Sequence, residues 1–138
     1  MHRITGMETR RLLPVLAVFF AVVFAGACSQ PAPRSLRADT ASYHVRLDLD
    51  AASLGRRTAT IEITDSRGDP VDASQVVVTP VMARMGMTRP ALVADELEPG
   101  RYRATGELFS MLGEWTLSVR VESAGAHDVA TFKVDADP

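Results

Sequence analysis

From residue 43 to the end of the chain, apolar and polar residues alternate with a period of two. The clearest run, YHVRLDLD, covers residues 43–50, and a second, WTLSVRVE, covers residues 115–122. Successive side chains of a β-strand point to opposite faces, so such runs place one face in a core and the other in water. No segment after residue 28 has the period of an amphipathic helix. The alternation therefore predicts a chain of strands.

Glycine, proline and aspartate separate these runs at the spacing of an antiparallel sandwich. The turns fall at residues 66–70, 98–100, 112–113 and 123–125. The predicted strands cover residues 43–50, 56–64, 74–80, 91–95, 101–109, 114–122 and 127–134. We therefore predict an all-β fold, an immunoglobulin-like antiparallel β-sandwich of about seven strands.

The first residues of the chain have the pattern of an export signal. Arg3, Arg10 and Arg11 precede an apolar stretch over residues 12–27. Its 16 residues are fewer than the ~20 that a membrane-spanning helix needs. Basic residues followed by a short apolar stretch are typical of a secretory signal peptide, which we predict over residues 1–27.

The single cysteine, Cys28, directly follows small residues in the run AGAC. This run resembles the lipobox of bacterial lipoproteins, in which the cysteine is acylated and becomes the first residue, although Ala25 stands where Leu is usual. Two alternatives are an ordinary cleavage that leaves a free thiol and a short uncleaved anchor. We predict lipidation of Cys28, a flexible tether over residues 28–40, and a folded domain over residues 41–138.

Composition and charge exclude several functional classes. The chain has 15 Lys and Arg against 17 Asp and Glu, so it has no net positive charge with which to neutralise nucleic acid phosphates. One cysteine cannot form an intramolecular disulfide or a cysteine-pair metal site. We expect no nucleic acid partner.

The sequence contains no recognisable catalytic constellation. Asp48 and Asp50 are two residues apart on a predicted strand, which places both on its solvated face. No serine lies in a G-x-S-x-G turn, and no glycine-rich loop precedes a helix. We expect no catalytic residues, no enzymatic activity, no nucleotide cofactor and no small-molecule substrate.

Methionines are concentrated in one short segment. Met82, Met85 and Met87 lie within six residues, directly after a predicted strand, and Met111 follows another predicted strand. Thioether sulfur is a soft ligand that favours Cu(I) over hard cations. Methionine is also a flexible residue that fills irregular gaps in a core. The spacing is compatible with a copper site and with simple packing.

Strand direction predicts where these side chains lie. If the seven strands alternate in direction, the segment 82–87 and Met111 share one end of the sandwich. His44 and His127 begin strands of the opposite direction and lie at the other end. A metal site at the methionine end would lack imidazole, which favours Cu(I) over Cu(II) or Zn(II). The argument depends on the predicted strand at residues 91–95.

Three segments carry a family resemblance. The run VVVTPVMARMGM at residues 76–87, the run GRY at residues 100–102 and the run FSMLGEWTL at residues 109–117 resemble the YtkA-like and FixH-like domains of bacterial exported or membrane-anchored proteins. The resemblance covers residues 43–134. It implies an immunoglobulin-like sandwich outside the membrane, linked to copper delivery, cytochrome oxidase assembly or metal efflux.

The resemblance also implies roles for individual methionines. Met82, Met85 and Met111 match methionines of the family, whereas Met87 stands where the family often has histidine. This replacement keeps a soft donor and removes an imidazole, which favours Cu(I).

Together these observations predict a lipid-anchored protein on the extracytoplasmic side of the cell membrane. We expect it to bind Cu(I) through Met82, Met85, Met87 and Met111, in copper handling or oxidase assembly, with a membrane protein or a copper-delivery protein as partner. The alternative is a non-catalytic adaptor that docks to a membrane protein without metal. Sulfurs that converge on an accessible rim would favour copper, and sulfurs dispersed into the core would favour packing or docking.

Overall fold

Ten β-strands and one short 3-10 turn form the regular structure of residues 31–138, which are the residues that the computed structural model describes. The strands are β1 (Arg34–Asp39), β2 (His44–Leu49), β3 (Gly55–Thr64), β4 (Gln75–Met82), β5 (Met87–Thr88), β6 (Leu92–Val93), β7 (Asp95–Glu98), β8 (Arg101–Phe109), β9 (Gly113–Ser123) and β10 (Ala126–Ala136). The 3-10 turn is Ala83–Met85. Among residues 31–138 there is no helix of the length and hydropathy needed to cross a bilayer. The predicted signal peptide and Cys28 lie outside the described residues.

The strands form two antiparallel sheets that enclose one core. The first sheet has the order β1-β2-β3-β8-β7, and the second has the order β10-β9-β4-β5, with β6 also paired to β4. Buried side chains from both sheets belong to a single hydrophobic cluster. The prediction of an all-β antiparallel sandwich is confirmed.

The period-two runs of the sequence supply this core. In β9 the inward residues Trp115, Leu117, Val119 and Val121 are fully buried, while their neighbours along the strand are exposed or half-buried. Burying one Val or Leu side chain contributes roughly 1.5–3 kcal/mol. The hydrophobic effect therefore determines which face of β9 points inward.

The structure corrects the predicted tether. Residues 34–39, which the sequence analysis assigns to a flexible segment, form the edge strand β1 and pair with β2 along their whole length. Only Leu36 and Ala38 of β1 pack against the core, and both are half-buried. Leu36 and Ala38 alternate with exposed residues, but neither is fully buried, so backbone hydrogen bonds to β2 are the main interaction that holds this strand.

The structure also corrects the predicted strand at residues 91–95. Leu92–Val93 pairs with β4 in the second sheet, whereas Asp95–Glu98 pairs with β8 in the first. The chain therefore crosses between the sheets within this segment. All four residues of β7 are exposed, so β7 has no burial pattern that the sequence could reveal. The division of this segment into β6 and β7 and the additional strands β1 and β5 raise the number of strands from the predicted seven to ten.

Candidate metal centre

The methionine segment lies at one end of the sandwich, which we call the methionine pole. It consists of the loops at residues 50–54, 83–91 and 110–112, together with the two ends of the described chain, residues 31–33 and 137–138. The strand registers define this end, because Gly55 pairs with Phe109 and Ala136 pairs with Gly113. The loops at residues 40–43, 65–74, 99–100 and 124–125 form the opposite end, the far pole.

Met82 and Met87 lie opposite each other on neighbouring strands. They are Cα partners in the antiparallel pair of β4 and β5. Directly opposed residues point to the same face, with Cβ atoms about 5 Å apart. Met82 is only 4% exposed and belongs to the core, whereas Met87 is half-buried against it. The two side chains thus lie side by side at the end of the second sheet, and that of Met82 is the more buried.

The loop between β8 and β9 brings Met111 to the same place. The hydroxyl of Ser110 donates a hydrogen bond to Sδ of Met87 over 3.5 Å. A Cβ atom at Gly113 would lie 3.7 Å from Cε of Met82. Met111 lies between Ser110 and Gly113, the first residue of β9, and is half-buried against the core. The β8–β9 loop therefore contacts Met87 through Ser110, and the start of β9 passes close to Met82.

A buried tryptophan fixes this loop. Nε1 of Trp115 donates to the backbone oxygen of Met111 over 3.0 Å. The indole is fully buried and packs edge-on against Phe109, with ring centroids 6.0 Å apart. Such a contact holds the loop in one position, because the indole N–H would otherwise be buried without a partner. Trp115 is thus a packing anchor beside the methionines.

Met85 lies apart from the other three methionines. It ends the 3-10 turn, and its residue is 62% exposed. Gly86 follows with a φ of 59°, a left-handed conformation that glycine adopts readily. Met82 is therefore part of the core, Met87 and Met111 are half-buried against it, and Met85 is exposed, so the four sulfurs do not share one accessible rim.

The two histidines of the described chain lie at the far-pole ends of their strands. His44 pairs with Thr64 at the end of β3, and His127 pairs with Glu122 near the end of β9. Within residues 31–138 no group of three or more His, Cys, Asp or Glu side chains could hold a metal ion. The candidate donors, the methionine thioethers and the Ser110 hydroxyl, suit a soft ion such as Cu(I), and the same pole also carries the carboxylates of Asp50 and Asp137.

Sequence analysis did not find Ser110 or a polar concavity on the outer face of the first sheet. This concavity has a volume of about 420 Å³ and lies over β1, β2 and β3. In it His44 pairs with Asp39 over 2.6 Å, and Arg46 pairs with Glu62 over 3.4 Å. The hydrogen bond that Arg46 donates to the Asp48 carboxylate raises the pKa of Arg46. The sequence pattern could not reveal the concavity, because β1 forms one of its walls and was not predicted as a strand.

Comparison with known proteins gives a family and a fold. A family model described as YtkA-like matches residues 37–120. The curated proteins include no match. Among solved structures, a DUF4785 family protein from Legionella pneumophila aligns with a TM-score of 0.51 and 17% identity. The alignment covers 72% of this chain and 29% of that protein, so the likeness concerns the fold of one part of a longer molecule.

Proposed function

This chain belongs to the YtkA-like family, and from that premise we propose that it is a membrane-anchored extracytoplasmic accessory protein that binds Cu(I) at the methionine pole. In this proposal Met82, Met87 and Met111 supply thioether donors, and Met85 is a more exposed fourth donor. The role is copper handling or oxidase assembly, in keeping with the FixH-like resemblance of the sequence. The protein is not an enzyme in this proposal, because its candidate centre has no group suited to proton transfer or nucleophilic attack.

The contact between Ser110 and Met87 carries the proposal. It joins the β8–β9 loop to β5 at the place where Met82 lies beneath. Three thioether residues thus lie at the methionine pole, two of them half-buried and one buried. Neutral thioethers bind Cu(I) without the charge that would hold it permanently, which suits an ion that is received and passed on.

The leader supports the proposed location. The apolar stretch at residues 12–27 and the AGAC run direct export and lipidation of Cys28. The sandwich would then lie on the extracytoplasmic side, where a copper-delivery protein or a membrane protein can reach it.

A second function is favoured by a different observation at the same pole. Met85 and Leu112 are 62% and 50% exposed. Flexible methionine side chains suit adaptable apolar interfaces. In this second proposal the chain is a non-catalytic adaptor that docks to a membrane protein through these residues, without metal.

A competitive Cu(I) titration separates the two functions. The chain from residue 29 onward is titrated under anaerobic reducing conditions against a chromogenic Cu(I) chelator, beside a Met87→Leu/Met111→Leu variant. Leucine keeps the apolar volume and removes the sulfur, at a cost in stability below about 1.5 kcal/mol per site. We expect the native chain to take one Cu(I) from the chelator and the folded variant to take none.

A Met85→Leu variant tests whether the exposed methionine contributes to Cu(I) binding. A smaller loss of Cu(I) affinity than in the double variant is expected, because Met85 lies apart from the other three side chains. If the native chain does not compete for Cu(I) at all, the copper proposal is wrong and the docking function takes its place.

A further inference from the structure

We propose that the methionine pole rests on the surface of the lipid bilayer, so that the candidate centre faces the membrane. This inference depends on the proposed anchor at Cys28. It adds the orientation of the domain and the nature of the surface that covers the pole.

The first argument is the position of Pro31, which follows the proposed anchor closely in the sequence. Pro31 borders a small cavity of about 120 Å³ together with Ser53 and Asp137, at the methionine pole. Residues 34–39 are bound into the sheet as β1, so they do not lengthen the tether. The domain is therefore attached to the membrane by its methionine pole.

The second argument is the reach of the remaining link. Only Ser29 and Gln30 separate Cys28 from Pro31. A chain of three residues spans at most about 10 Å when fully extended. A small protein domain is about 30 Å across. A link this short leaves no room for a folded partner between the pole and the lipid headgroups, so the bilayer is the surface that the pole meets.

The third argument is the distribution of exposed apolar side chains. Leu54, Met85 and Leu112 lie at the methionine pole and are 40%, 62% and 50% exposed. The far-pole loops contain none of the large hydrophobic residues that are exposed in residues 31–138. Apolar side chains that lie beside a bilayer gain free energy by entering the interface between headgroups and acyl chains.

Charge favours the same orientation. The methionine pole carries Arg84 and Arg89 against Asp50 and Asp137, and Arg89 is paired with Glu107 over 2.8 Å. The far-pole turn carries Asp65, Asp69 and Asp72 against one arginine, Arg67. Charges act over about 8–10 Å at physiological salt, so only the pole beside the membrane is affected by anionic lipids. Those lipids would therefore repel the far pole more than the methionine pole.

The test measures how close each pole lies to the acyl chains. The full chain, processed in its bacterial host, carries either Leu112→Cys or Arg67→Cys, and the new thiol is labelled with the fluorophore NBD. The protein is reconstituted into vesicles of phosphatidylcholine and phosphatidylglycerol that contain a doxyl-labelled lipid as quencher. The far pole is about 35 Å away, because β9 has 11 residues of about 3.3 Å each. We expect the label at residue 112 to lose most of its fluorescence and the label at residue 67 to keep it.

Membrane association is measured on the same samples, by flotation of the vesicles. If the protein floats with the vesicles and the label at residue 112 is not quenched, or both labels are quenched equally, the orientation is wrong and the anchor stands. If the protein does not float, the anchor is wrong and the inference fails with it. If the label at residue 112 is shielded from water in native membranes but not in lipid vesicles, the inference is also wrong. Such a result would indicate that a protein partner covers the pole.

Discussion

The hydroxyl of Tyr102 connects β8 to the segment that leads into β4. It accepts a hydrogen bond from the backbone N–H of Ala73 over 2.6 Å and lies 3.1 Å from the backbone oxygen of Val71. Tyr102 is only 2% exposed. Burial raises the pKa of this phenol, so the hydroxyl stays protonated and can donate. One side-chain oxygen therefore satisfies backbone groups that water reaches poorly.

Replacing Tyr102 with phenylalanine should destabilise the fold. The change leaves the N–H of Ala73 without its partner, and an unsatisfied buried donor costs about 1–3 kcal/mol. Urea denaturation measures the loss. Tyr43→Phe is the matched control, because the partner of Tyr43 is Ser123, which is half-buried and can bond to water instead. Equal losses in the two variants would contradict this role of Tyr102.

Asp128 gives the stability a dependence on pH. Its carboxylate accepts hydrogen bonds from the Thr40 hydroxyl over 2.7 Å and the Ser42 N–H over 2.8 Å. The Thr40 hydroxyl first, and then the Ser42 N–H, lower the pKa of Asp128 below its ordinary value of 3.8. A carboxyl group with a lowered pKa stabilises the fold above the pKa of the unfolded chain. This contribution is lost as the pH falls through the pKa of the folded state.

We therefore expect Asp128→Asn to unfold at a lower urea concentration than the native chain at neutral pH. The difference should shrink as the pH falls below 3.8 and through the lower pKa of the folded state, because the Asp128 side chain then becomes uncharged, as asparagine is. Urea midpoints at a series of pH values provide the measurement. A difference that stays constant across this range would show that the charge of Asp128 does not contribute.

At the level of elements, the turn before β8 depends on a glycine. Gly100 has a φ of 81°, and an added Cβ would lie 2.7 Å from Cβ of Pro70 and 3.0 Å from the oxygen of Ile63. Gly125 has a similar φ of 88°, but nothing lies within 4 Å of its added Cβ. The two positions share the backbone strain and differ in the space around them.

Gly100→Ala should therefore cost more than Gly125→Ala. The left-handed backbone costs roughly 1–2 kcal/mol at each position. Overpacking against Pro70 adds about 1–3 kcal/mol at position 100 only. The free energies of unfolding of the two variants test this, and equal values would mean that the turn shifts without penalty.

Strand β1 supplies a prediction about where the domain begins. A chain that starts at residue 41 lacks β1 and leaves the hydrogen-bonding edge of β2 open. Exposed strand edges pair with other chains and promote aggregation. We expect this shorter chain to unfold at lower temperature and to form larger species than a chain that starts at residue 31. Light scattering and thermal unfolding of the two chains make the comparison. Identical behaviour would mean that residues 34–39 belong to the flexible tether and not to the folded domain.

At the level of the whole molecule, the proposed anchor at Cys28 would determine where the sandwich acts. Changing Cys28 to serine removes the only thiol that can be acylated. We expect the variant to be exported and to appear in the soluble fraction after cell lysis, whereas the native chain sediments with the membranes. Thermal unfolding of the released domain controls for misfolding. Retention of the variant in the membranes would contradict lipid anchoring and favour an uncleaved apolar anchor.

Part of this architecture could be read from the sequence because side-chain burial is periodic. The runs at residues 43–50 and 115–122 alternate so clearly that the hydrophobic effect leaves one orientation for each strand. Strand direction then placed Met111 with the segment 82–87 and placed both histidines at the other end. The registers agree with these placements. These features depend on which side chains leave water, and the sequence records that directly.

The remaining features were decided only by the tertiary structure. β1 and β7 are edge strands with few buried side chains, and backbone groups that every residue carries hold them in place. The contact of Ser110 with Met87 joins residues 23 positions apart, through a loop whose position Trp115 fixes. Without β1 the number of residues in the proposed tether could not be known, so the sequence did not indicate which pole the proposed anchor would hold near the membrane. The sequence by itself determined which faces are buried and which end carries the methionines. Backbone pairing and loop contacts decided the edge strands of the first sheet, the burial of each methionine sulfur and the length of the proposed link between Cys28 and Pro31. The sequence does not reveal these features, because such interactions depend on which residues meet in space.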